Sequence, residues 1–265
     1  MPERENGESP TMQRAENAKL PGVSAAVLKW TAVLTMLIDH VGASLLWGVH
    51  NARHGWGDGV FSEGFYSATR VVGRLAFPVF CFLLVEGLFH TRSRWKYLLR
   101  LGLFALLSEL PFDRALFGSW LDMKAGQNVF FTLFLGLAAC AAWEWLTEGN
   151  NPACNPLRGI AAMLAAAAAV YLAILLNTDY GGLGVALILV MYLLRDKPYA
   201  RDLLCFGVLY LMVRLQHSHW IELLAAFSFP LLHCYNGQRG RQNKYFFYIF
   251  YPAHLLLFAG ILILL

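Results

Sequence analysis

Apolar residues run through most of the chain in long, unbroken stretches separated by short polar ones. Ala25 to Leu37, Val79 to Leu84, Val129 to Ala142, Gly159 to Leu176 and Tyr245 to Leu265 are the clearest. Several approach or reach the roughly 20 residues that cross a bilayer as a helix. Inside hydrocarbon only helices and closed barrels satisfy every backbone hydrogen bond, and barrel strands alternate apolar and polar positions. These runs are continuous, so they predict helices. The expected spans are residues 25–48, 71–89, 96–111, 128–146, 158–176, 182–194, 202–214, 219–235 and 245–264. The sixth and seventh are short for a full crossing. The pattern therefore predicts an all-α, polytopic membrane bundle of about nine helices, plus or minus two. Residues 1–24 are expected to form a flexible polar tail, and residues 25–265 a single transmembrane domain. No short apolar stretch with a small-residue cleavage site precedes the first long run, so no cleaved signal peptide is expected.

Composition sharpens this picture. The chain is 58% hydrophobic and 14% charged, against about a quarter charged in soluble domains, which excludes an ordinary soluble enzyme. The net charge of +4 does not imply nucleic acid, because most basic residues sit in short loops. With the N-terminus inside, 15 of the 21 Lys and Arg residues fall on the inner side, so the positive-inside rule predicts a cytoplasmic N-terminus and a multi-pass protein of the cell (inner) membrane. The five cysteines are scattered without C-x-x-C spacing, and no metal site or disulfide framework is expected.

Ionisable residues within spans cost several kcal/mol on insertion scales of roughly 3 kcal/mol each, which makes each one a candidate for function. The first span carries Lys29 near its inner end and Asp39-His40 deep inside it. Lys29 and His40 are close to three helical turns apart, so they share a face about 16 Å in length. A cation at the surface and an imidazole in the interior suit a long anionic ligand with a reactive end, such as a pantetheine thioester. Imidazole is the usual general base near neutral pH. Asp39 points about 100° away from His40 and is not expected to orient it. The competing explanation is that both residues only bond neighbouring helices.

The second span holds Arg74, Pro78 and Glu86. Arg74 is suited to polarise a carbonyl or to pair with Asp39. Glu86 is suited to pair with a base of the Arg92, Arg94 and Lys96 loop, the expected cytoplasmic donor-binding cluster. Glu109 and Asp113 flank Pro111 where the third helix is expected to end, and Asn128 begins the fourth; the three suit an acceptor entrance, or simple capping of the outer rim. Asp179 and Tyr180 lie in a Gly-rich turn, and His254 follows Pro252 in mid-span as a possible partner of His40. A donor to the developing oxyanion is expected from Arg74, Tyr180 or Asn128.

Six of these segments, taken in order, resemble the TraX family of membrane proteins associated with pilin acetylation. They are Leu28-Lys29-Trp30 through Asp39-His40-Val41-Gly42; Gly73-Arg74-Leu75-Ala76-Phe77-Pro78-Val79-Phe80 with Val85-Glu86-Gly87; Ser108-Glu109-Leu110-Pro111-Phe112-Asp113; Asn128-Val129-Phe130-Phe131-Thr132-Leu133; Asp179-Tyr180-Gly181; and Tyr251-Pro252-Ala253-His254-Leu255. The Lys29–His40 spacing is also distantly similar to that of acyltransferase-3 membrane acyltransferases, with Lys where that family has Arg. These resemblances imply an acyltransferase that takes acetyl groups from cytosolic acetyl-CoA. The acceptor would be an amine or hydroxyl met from the other face, such as a pilin-like peptide or an envelope glycan. On this reading Lys29, Glu86, Arg92, Arg94 and Lys96 hold the donor, His40, Asp39, Arg74 and His254 form the catalytic group, and Glu109, Asp113, Asn128, Asp179 and Tyr180 meet the acceptor. The rival readings are a proton-coupled transporter, with Asp39, His40, Glu86 and His254 as the relay, and a non-catalytic assembly factor.

Overall fold

The computed structural model of the chain describes residues 22–122, 125–147, 156–216, 219–241 and 243–264. The expected tail lies outside the described residues up to position 21. The elements are helical: α1 Ala25–His40, a π-helical turn Val41–Leu46, α2 Trp47–Arg53, a short 3-10 turn Gly59–Phe61, α3 Glu63–Gly73, α4 Ala76–Phe89, α5 Arg94–Phe117, α6 Val129–Thr147, α7 Pro156–Leu175, α8 Gly181–Leu193, α9 Pro198–Leu215, a 3-10 helix Trp220–Ser228, α10 Phe229–His233 and α11 Lys244–Leu264. Among the described residues no strand forms, only two isolated bridges, Val23 with Tyr235 and Gln127 with Thr178.

Among the described residues, five helical segments are long and apolar enough to cross a membrane: Ala25–Arg53, Glu63–Phe89, Val129–Thr147, Pro156–Leu175 and Tyr245–Leu264. The chain is a membrane protein of helices. Its centre is α4, whose residues are nearly all buried because α1, α6 and α8 pack around it. By contrast α7 lies outside, burying only Ala162, Ala169 and Ala173, residues seven and four apart that share one helix face.

Three elements depart from the sequence pattern. The expected second span is two helices that break at Arg74-Leu75. Pro78 has no amide hydrogen to give the carbonyl of residue 74 and crowds it, so the ladder opens there. The third span does not stop at Pro111 but continues to Phe117, where Gly118 at φ 80° ends it. Pro111, Phe112 and Asp113 are all buried, and that packing outweighs the one lost backbone bond. The expected helix 219–235 is a nine-residue 3-10 run followed by a five-residue helix, far longer than the usual three or four residues of 3-10 structure.

Candidate active site

The π-helical turn begins one residue after His40, and such insertions re-aim the side chains of the preceding turn. His40 and His254 are both buried, and His40 Nδ1 lies 2.7 Å from His254 Nε2. His254 Nδ1 lies 2.7 Å from the carbonyl of Phe250. A carbonyl only accepts, so His254 Nδ1 carries the proton, and in the neutral ring Nε2 accepts from His40 Nδ1–H. This fixes the tautomer of His40: its lone pair is on Nε2, which no described residue engages.

Asp39 does not touch His40. Its carboxylate is held by two guanidinium groups, Arg70 Nη1 at 2.7 Å and Arg74 Nη2 at 2.9 Å. Arg74 Nη1 in turn meets Glu222 Oε1 at 2.6 Å. The four groups carry two positive and two negative charges, the neutrality that burial demands. Two glycines let α1 and α3 come close enough: a Cβ on Gly42 would stand 2.0 Å from Thr69 Oγ1, and one on Gly73 2.1 Å from Asp39 Oδ1.

Two cavities lie in this part of the molecule; Arg74 and Glu222 line the second, and none of the four charged groups lines the first. The first, of about 540 Å³, lies between the start of α1, the end of α4 and the starts of α5 and α11, and reaches Tyr251. The Tyr251 ring sits 5.7 Å from that of His40. Lys29, Arg100 and Arg239 line it, and the buried Nε of Arg100 has no hydrogen-bond partner among the described residues. Three cations and an orphaned donor around an apolar, aromatic slot fit a phosphate-bearing ligand with a long thin arm.

The second cavity, of about 440 Å³, is lined by Arg74, Asp179, Tyr180, Gln216 and Glu222, with Phe112 and Met212 on its apolar side. Its floor is two loops clipped together by Gln127 N to Asn177 O at 3.0 Å and Asp179 N to Gln127 O at 2.8 Å, with Thr132 Oγ1 donating to the Asp179 carbonyl. Asn177 and Tyr180 sit at φ 50° and 62°, a left-handed conformation that costs about 1–3 kcal/mol for such residues and that surrounding packing must impose. Here the Tyr180 ring lies flat on Phe77, centroids 3.6 Å apart. Asp179 opens onto the cavity, yet the protein around it strips enough water to push its carboxyl up to about 6, with Arg74 opposing and Glu222 and Asp39 adding to the rise.

The other sequence candidates divide. Lys29 and Glu86 line the first cavity, but Glu86 is held by Arg195, Nε to Oε1 at 2.6 Å, not by the Arg92–Lys96 loop. Arg94 bonds Glu144, and neither it nor Arg92 nor Lys96 lines the cavity; Arg100 and Arg239 stand in their place. Glu109 accepts from the amide and side chain of Asn128, while the Asn128 side chain also caps α6 through Phe130 N. Asn128 is thereby satisfied as a cap and is not aimed at either cavity. Glu109 Oε1 and Asp113 Oδ1 are buried without partners, beside but not lining the second cavity. Sequence reasoning passed over Arg70 and Glu222. Arg70 is readable as the residue four before Arg74 on one helix face, and Glu222 as the lone acid of an apolar stretch.

The profile of the TraX protein family matches residues 24–262. The chain belongs to the TraX family. A relative from Dichelobacter nodosus, named "Probable fimbrial assembly protein FimC, serogroup H1", is 30% identical over 256 residues, covering 89% of this chain and 95% of that protein. No solved structure matches. The matched residues span both cavities and the whole charged centre.

Proposed function

We propose that this TraX-family protein is an acetyltransferase of the inner membrane, with about nine crossings, plus or minus two, and the cytoplasmic N-terminus that its loop charges favour. Acetyl-CoA enters the first cavity from the cytoplasm, its phosphates held by Lys29, Arg100 and Arg239 and its arm running towards Tyr251. An acceptor amine enters the second cavity from the other face, where Asp179 and Glu222 favour a cationic group. The single observation that carries this reading is that Asp39-His40, while lining neither cavity, contacts a wall residue of both: His40 abuts Tyr251 of one and Asp39 is bonded to Arg74 of the other.

In the transfer step the acceptor nitrogen attacks the thioester carbon. His40 Nε2 takes the proton from nitrogen and gives it to the departing sulfur. Arg74 stands at the cavity wall as a charged donor for the developing oxyanion. The name of the Dichelobacter relative supports a pilin-type subunit as the acceptor over a glycan. A transporter relay is less well supported, because the His40–His254 chain ends on the Phe250 carbonyl, which cannot carry a proton onward.

The test uses detergent-purified protein with acetyl-CoA. Wild type is expected to bind it and turn over the thioester. His40→Ala should keep binding and lose turnover, and Arg100→Ala should weaken binding. Full acetyl transfer by His40→Ala would overturn the mechanism.

A further inference from the structure

An amine offered at neutral pH arrives as an ammonium, because an α-amino group loses its proton only near pH 7.7–8. It has no lone pair to attack with. Two protons must therefore leave the nitrogen during acetylation, one before attack and one as the amide forms, and His40 handles only the second. Resting on the acyl-transfer reading above, we propose that Asp179 is a second base, which takes the first proton from the ammonium in the outer cavity and hands it to water there.

The carboxylates of this half of the molecule leave Asp179 as the candidate. Both oxygens of Asp39 lie on arginines. Glu222 is bonded to Arg74, so its carboxylate is already engaged. Glu109 and Asp113 do not line the cavity. Asp179 does, and among the described residues its side chain accepts only the Tyr180 amide, at Oδ1 and 3.1 Å, with no salt bridge. The clipped loops hold its backbone at the wall of the cavity that Arg74 and Glu222 also line. The charged and titratable groups acting on it are Arg74, Glu222, Asp39 and Arg70, with Tyr180 and Tyr251 on its other sides. Its raised affinity for a proton is what a base needs to accept one from an ammonium near neutrality and still release it.

The steps balance. Asp179 carboxylate and ammonium give carboxylic acid and free amine. The amine nitrogen bonds the acetyl carbon, the carbon–sulfur bond breaks, and His40 moves the remaining proton from nitrogen to sulfur. The Asp179 acid then releases its proton to the outer water. The sum is ammonium plus thioester to amide, thiol and one proton.

The experiment measures kcat/KM for acetylation of a glycyl peptide amide with a free N-terminus, between pH 5.5 and 9, for wild type, Asp179→Asn and Asp179→Glu. Wild type is expected to rise through about pH 6 and then level. Asp179→Asn should follow the peptide's own amine, losing about tenfold or more at pH 6.5 and converging on wild type near pH 9. Asp179→Glu should recover part of the loss at low pH. An unchanged profile for Asp179→Asn, or an equal loss at every pH, would overturn the role of Asp179 while leaving acyl transfer standing. No transfer by wild type at any pH would overturn acyl transfer and this inference together.

Discussion

His254 hydrogen-bonds His40 at 2.7 Å while its own Nδ1 is committed to the Phe250 carbonyl, so one imidazole sets the tautomer of the other. In the proposed acetyl transfer, the arrangement would do the work that a carboxylate does behind a catalytic histidine, without adding a buried charge. It also makes the identity of residue 254 testable. His254→Gln retains an acceptor for His40 Nδ1–H and is expected to keep more thioester turnover than His254→Ala, which should lose about 10²–10⁴-fold. Binding of acetyl-CoA should be unchanged in both. Equal turnover in the two variants would show that the tautomer is set by something else.

The close contact at Gly73 predicts a large and local cost. An alanine Cβ there collides with three atoms of Asp39 within 2.3 Å and would push the carboxylate off Arg70 and Arg74. Gly73→Ala is expected to destabilise by about 3–5 kcal/mol, the cost of breaking a buried ion pair. Gly64, on the same helix with nothing within 4 Å, is the control: Gly64→Ala should be neutral or stabilising by about 0.5–1 kcal/mol. Thermal melts in one detergent compare the two directly.

Glu222 and Arg74 form a pair joined over 148 positions of sequence, and their coupling predicts non-additivity. Arg74→Met leaves Glu222 and Asp39 short of a counter-charge. Adding Glu222→Gln removes one of those uncompensated charges, so the double variant should be more stable than Arg74→Met alone by about 1–3 kcal/mol. Additive effects in the melts would mean that the two side chains do not meet in solution.

How much of this was readable in advance depends on whether a residue acts through its own helix or through another. Lys29, His40, Arg74 and His254 were visible because an ionisable residue inside an apolar run is costly wherever its partner lies. Two of the partners were visible as well, Asp39 for Arg74 and His254 for His40; the others were not. Glu86 was matched to the nearest basic loop, yet the fold brings it to Arg195, 109 residues away, because α4 and α8 are neighbours in the bundle. Pro111 was read as a stop signal, and packing of the residues around it carried the helix past. The 3-10 run that presents Glu222 has the apolar composition of an ordinary span, so its lone acid is visible but nothing in its pattern announces its geometry. The two cavities are properties of packing alone.

A donor site built from cations predicts dependence on salt. If Lys29, Arg100 and Arg239 contact the phosphates, acetyl-CoA affinity should fall as ionic strength rises, since a shorter Debye length weakens these partly exposed interactions. Arg239→Ala should flatten that dependence as well as weaken binding, whereas Arg94→Ala, whose side chain is occupied by Glu144, should change neither. Calorimetric titration of the purified protein at two salt concentrations separates these outcomes.

Asp179 also makes a prediction about stability that needs no substrate. Its carboxyl is raised from 3.8 to about 6 in the folded protein, so the folded state binds this proton more tightly than the unfolded chain. The resulting stabilisation is fully present below about pH 4 and is lost as pH rises through 6, where folding must accommodate the ionised form. Asn at the same position carries no such term. The melting temperature of Asp179→Asn minus that of wild type should therefore climb between pH 4 and 6 and stay constant from about 6.5 to 8. A difference that is flat across the whole range would mean that the loop leaves Asp179 as well solvated as in the unfolded chain, and a difference that falls with pH would mean that Arg74 dominates its surroundings.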